Sequence, residues 1–130
     1  MKLFAFTLLT FLVGLGQVTA LPAGGHQELE ERSTGSFNGI ATYFYQYGNP
    51  GACGNWNSDS AWLVALRPEF YNNGKNCGHK VHFKAGNGKE LTAIVQDECP
   101  GCNKDSVDMS IGFWNAFGYP SDDGIFDITW

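Results

Sequence analysis

Apolar and polar positions along this chain alternate in short runs rather than in long helical stripes. Phe37 to Gln46 reads FNGIATYFYQ, with Ile40, Thr42 and Phe44 on one face and Ala41, Tyr43 and Tyr45 on the other, the period of a strand. Trp62 to Leu66 (WLVAL) is an apolar strand ended by Arg67-Pro68, and Glu69 to Tyr71 can form a helical turn. Lys80 to Ala85 and Glu90 to Gln96 both alternate, and Gly86-Asn87-Gly88 between them reads as a hairpin loop that makes them neighbours. Val107 to Met109 is a very short strand, and the chain closes with Ile125, Asp127 and Thr129 alternating against Phe126, Ile128 and Trp130. The period lengthens only after Ser110, a candidate N-cap, where Phe113, Trp114 and Phe117 share one helix face before Gly118. Six short strands and one short helix near the C-terminus predict an all-β fold, a small closed barrel.

The remaining segments are punctuation. Tyr47 to Ser60 is dense in Gly, Asn, Pro and Ser, a long loop pinned by Cys53, and long loops in compact domains are often functional. At the N-terminus, Lys2, the apolar run Leu3 to Leu15 and the small residues Val18-Thr19-Ala20 predict a secretory signal peptide over residues 1–20. That run is too short for a membrane span, so no membrane partner is expected. Residues 21–35 carry charge, Pro and Gly without apolar periodicity, and are expected to be a disordered tail or propeptide cut after Arg32. The folded domain is then residues 36–130, a secreted protein of the extracellular space or cell wall, and a monomer is expected.

From Ser33 onward the chain has six Lys or Arg against ten Asp or Glu, a balance of −4. An acidic domain without a basic stripe is a poor ligand for nucleic acid or any anionic surface. Four cysteines in an exported chain imply two disulfides. Three pairings are possible, and Cys99 with Cys102, leaving Cys53 with Cys77, is the one expected. The second would close a loop of about 25 residues and constrain the unfolded chain by roughly 3.5 kcal/mol.

Candidate chemistry concentrates in Leu91 to Ser110, LTAIVQDECPGCNKDSVDMS. A redox centre would put Cys99 at a helix N-terminus, but a strand follows the Cys-Pro-Gly-Cys turn. A zinc site from Cys99, Cys102, His79 and His82 has an unusual ligand order, and the two histidines fall on opposite strand faces, so no metal and no cofactor is expected. Asp97 ends one strand and Asp108 begins the next. Two carboxylates facing one groove is the arrangement glycosidases use at separations of roughly 6.5 to 9.5 Å. Each could equally hold backbone N–H groups in a tight turn.

Taken in order, GIATYF from Gly39, ACG from Ala52, VAL from Val64, CGHKV from Cys77, VQDECPGC from Val95, VDMS from Val107 and the closing Gly124 to Trp130 resemble the double-psi β-barrel of rare lipoprotein A, barwin, expansin domain 1 and family-45 endoglucanases. The likeness covers about residues 37–130 and looks closest to small fungal secreted members, some similar to a papain inhibitor of the same fold. It implies a six-stranded double-psi barrel with a polysaccharide groove, in which Thr42, Asp97 and Asp108 match groove-lining positions. Cys99 stands where expansins carry a groove Tyr, residues 39–46 hold no carboxylate to serve as an endoglucanase partner, and Leu66 stands where the transglycosylases carry a His.

The function expected is therefore binding of cell-wall polysaccharide (glucan, chitin or peptidoglycan) without efficient hydrolysis, through Thr42, Tyr43, Tyr45, Trp56, Asp97 and Asp108. One alternative is inhibition of a cysteine protease through the Tyr47–Ser60 loop. Another is weak glycan cleavage, as a lytic transglycosylase or endoglucanase, with Asp97 as general acid.

Overall fold

The computed structural model describes residues 36–130. The expected signal peptide and the expected tail over 21–35 lie outside the described residues. Six strands form: β1 (Asn38–Phe44), β2 (Leu63–Leu66), β3 (Lys80–Ala85), β4 (Glu90–Glu98), β5 (Val107–Ser110) and β6 (Phe126–Thr129). Between them stand a single turn of helix, α1 (Pro68–Tyr71), and α2 (Ile111–Phe117).

The strands close into a barrel in the order β1-β5-β2-β4-β3-β6. β1 with β5 and β2 with β4 are parallel, and the other four pairings are antiparallel. The six-stranded barrel and the short C-terminal helix expected from the residue pattern are both present. Closure is completed at the chain's end, where Phe37 and Trp130 exchange backbone hydrogen bonds.

Alternation fills the barrel. Ala41, Val64, Phe83, Ala93, Val95, Val107 and Met109 point inward and are buried. Helix α2 adds the fully buried Phe113, Trp114 and Phe117 to the same core, where they pack on Phe83 and Phe126. Each such ring contributes roughly 1.5–3 kcal/mol of burial. The helix starts where expected, because the Ser110 Oγ accepts from the Phe113 backbone N–H. That hydroxyl also donates to the Ala61 carbonyl, so the cap ties α2 to the entry of β2.

Tyr43, expected in the groove, is half-buried and packs against this core. Tyr43 lies one position from Thr42 on β1, so the pleat sends it to the opposite face, where its ring packs 4.9 Å from Trp114. The disulfides are Cys53–Cys77 and Cys99–Cys102, and among the described residues no cysteine is free.

Candidate functional site

The neighbours of Ala65 define the site. In the antiparallel pairing of β2 with β5, Ala65 stands opposite Asp108, and in the parallel pairing of β1 with β5, Asp108 stands opposite Thr42. On its other side Ala65 pairs with Asp97 of β4. Thr42, Asp108, Ala65 and Asp97 therefore form one row across four strands. Asp97 and Asp108 flank Ala65, about 10 Å apart between Cα atoms at two strand spacings.

Asp97 reaches that row through a β-bulge. Val64 pairs with Val95, and both are buried in the core, so an unbroken ladder would pair Ala65 with Gln96 and place Asp97 beside Leu66, facing inward. The register shifts by one residue between Val64 and Ala65, and the extra residue on β4 carries Asp97 to the Ala65 face.

The two carboxylates are held differently. Asp108 accepts the Thr42 hydroxyl at 2.8 Å. Burial pushes the Asp108 carboxyl above the usual carboxylate range; the Thr42 hydrogen bond opposes the rise, and the charge of Asp97 adds to it. Asp97 instead uses one oxygen, Oδ1, for two backbone donors, Ala52 N–H at 2.7 Å and Glu98 N–H at 2.8 Å. Among the described residues, neither carboxylate has a Lys, Arg or His in ion-pair range.

The loop between β1 and β2 crosses β4 beside Asp97. Cys53 N–H donates to the Gln96 carbonyl at 3.2 Å and Asn55 Nδ2 to the Gln96 side chain at 2.9 Å. A Cβ on Gly51 would lie 2.4 Å from the Gln96 carbonyl oxygen, so only glycine lets the loop come this close. Trp56 bridges to Pro50 within the loop and is 70% exposed. At the loop's base Tyr47 is 80% and Tyr45 41% exposed. Their rings follow Tyr43 in an edge-to-tilted series with centroids 6.1 and 5.6 Å apart.

The structure thus brings Thr42, Asp97 and Asp108 together, sets Trp56 on the loop bonded beside them, and leaves Tyr45 at that loop's base. Tyr47 was not among the expected residues, although the Tyr-x-Tyr-x-Tyr spacing from Tyr43 extends to it. A surface depression of about 570 Å³ lies elsewhere, over β1, β3 and β6 beside Ile40, Lys84 and Asp127. Its lysine is paired with Glu90. Among the described residues no group of three or more His, Cys, Asp or Glu is placed to hold a metal.

Comparison with known proteins follows this geometry. A family model described as Kiwellin-1 matches residues 30–130. Ripening-related protein grip22 of Vitis vinifera is 36% identical over 64% of this chain and 44% of its own length. Kiwellin of Actinidia chinensis is 34% identical over 64% of this chain and 46% of its own length. The chain spans about half the length of these curated relatives. They are plant proteins, so they support the superfamily resemblance but not its fungal part. Among solved structures, a mutant Clavibacter michiganensis expansin in complex with cellohexaose superposes with a TM-score of 0.65 at 21% identity, over 73% of this chain and 48% of that one, a likeness of fold. A Streptomyces papain inhibitor superposes with a TM-score of 0.61 at 25% identity, over 74% of this chain and 93% of its own.

Proposed function

The chain belongs to the Kiwellin-1 family, and from that premise we propose that it is a secreted protein whose aspartate row and aromatic loop bind a cell-wall polysaccharide, glucan, chitin or peptidoglycan, without efficient hydrolysis. One observation carries the reading: Thr42, Asp108 and Asp97 share a register row, and the loop bonded to that row exposes Trp56 and Tyr47. Exposed rings offer flat apolar faces to pyranose rings, while carboxylates accept sugar hydroxyls. The cellohexaose complex of the expansin of like fold supports the substrate class.

Cleavage needs a second group besides a protonated acid, either a nucleophile or a base. Burial raises the Asp108 pKa, but Asp97 has Oδ1 committed to two backbone N–H groups. That commitment supports binding over turnover. Export fits the two disulfides, with residues 1–20 removed as a signal peptide and the segment to Arg32 as a propeptide.

Retention on insoluble cellulose, chitin or peptidoglycan, without release of soluble sugar, is the expected result. No retention on any of the three contradicts the reading. The papain-inhibitor likeness favours a second reading, in which the exposed 47–60 loop enters a cysteine-protease cleft. Dose-dependent inhibition of papain in the absence of polysaccharide would support it, and no inhibition would dismiss it.

A further inference from the structure

We propose that Asp97 is a positioning residue that clamps the tip of the aromatic loop to β4, and that Asp108 is the carboxylate that meets the ligand. Its functional consequence rests on the polysaccharide-binding reading; the clamp itself does not.

The bulged pair Gln96-Asp97 supplies three ties to one short stretch of loop. Ala52 N–H reaches Asp97 Oδ1, Cys53 N–H reaches the Gln96 carbonyl, and Asn55 Nδ2 reaches the Gln96 side chain. Gly51 allows the close approach that these bonds require. From the other side the stretch is held by the Cys53–Cys77 disulfide and by the Tyr71 hydroxyl, which donates to the Ala52 carbonyl at 3.1 Å. The held stretch lies between Pro50 and Trp56, which bridge to each other, so fixing it fixes the base of the exposed indole.

The chemistry of Asp97 agrees. A carboxylate oxygen that accepts two N–H bonds has both lone pairs engaged, which leaves only Oδ2 for a ligand. Asp108 makes a single side-chain bond, to Thr42. The bulge that turns Asp97 outward is therefore a device for gripping the loop, and the aspartate acts on the ligand through Trp56.

Two substitutions separate this role from a chemical one. Asparagine keeps the Oδ1 acceptor but loses the charge, whereas alanine loses both. In the full chain, amide hydrogen exchange at Ala52 and retention on insoluble polysaccharide are measured for wild type, Asp97→Asn and Asp97→Ala. The Asn variant is expected to keep Ala52 exchange within about twofold of wild type and to lose much less retention than the Ala variant. The Ala variant is expected to exchange at least about tenfold faster at Ala52, the effect of losing one charge-assisted hydrogen bond, and to lose retention. Asn55→Ala cuts a neighbouring exposed tie and is expected to loosen the same amides even if the Asp97→Ala chain does not fold.

An Asn variant that protects Ala52 yet loses as much retention as the Ala variant overturns the proposal, since Asp97 would then act through its charge. Unchanged Ala52 exchange in both alanine variants overturns it as well. If wild type binds no polysaccharide, the binding reading fails and the exchange data alone decide the clamp.

Discussion

Thr42 and Asp108 stand opposite each other in the parallel register of β1 and β5, and the Thr42 hydroxyl donates to the Asp108 carboxylate at 2.8 Å. That bond favours the charged form of a carboxyl that burial and Asp97 push toward protonation. The balance among these three effects governs the site's response to pH and to substitution.

Asp108 predicts a pH dependence with a definite sign. Its folded pKa lies above the ordinary value of 3.8, so between the two values the folded chain binds more protons than the unfolded one. Its contribution therefore lowers stability as pH rises through the window just above 3.8, with the cost absent below that window and complete above it. Thermal unfolding from pH 3 to 7 should show this falling component as the difference between wild type and Asp108→Asn. A flat difference would contradict it.

Removing the hydroxyl in Thr42→Val should push the Asp108 pKa further up, because the one bond opposing the rise is lost. A stability cost of about 1–3 kcal/mol is expected at neutral pH, where the carboxylate is left without its donor. An NMR titration of the Asp108 carboxyl together with chemical denaturation checks both.

Gly51→Ala should displace the loop. The new methyl meets backbone, the Gln96 carbonyl, which cannot swing aside as a side chain would. Overpacking of this kind costs about 1–3 kcal/mol, measurable as a lower denaturation midpoint.

The two disulfides should differ in worth. Cys53–Cys77 joins residues 24 apart and Cys99–Cys102 residues 3 apart. In the chain-entropy model their double-alanine variants lose about 3.5 and about 2 kcal/mol respectively. Urea denaturation of the two variants tests the order.

Much of this architecture is visible in residue order. Lys80–Ala85 and Glu90–Gln96 show plain alternation about a Gly-Asn-Gly turn, and Ser110 with Phe113, Trp114 and Phe117 announces α2. The disulfide pairing is the one expected among the three that four cysteines allow. Less visible is what depends on a partner strand. Nothing in Val95-Gln96-Asp97 marks the bulge, and simple alternation would send Asp97 inward with Val95; only the register against Val64 and Ala65 turns it out. Tyr43 depends on a partner in a related way. Both faces of Phe37–Gln46 carry rings, so the pattern alone cannot say which is core, and contact with Trp114 from a distant helix decides it. The different hydrogen bonding of the two aspartates is likewise a property of what surrounds them, since Ala52 arrives at Asp97 from 45 positions away.

The most direct test of the central claim is retention on insoluble cellulose, chitin and peptidoglycan, measured for wild type, Asp108→Ala and the double variant Tyr47→Ala/Trp56→Ala. Wild type is expected to be retained by at least one polymer, with affinity falling by about tenfold, a loss of ~1.4 kcal/mol, in each variant while the thermal transition stays cooperative. Retention of all three proteins to the same extent would contradict the account, as would retention of none.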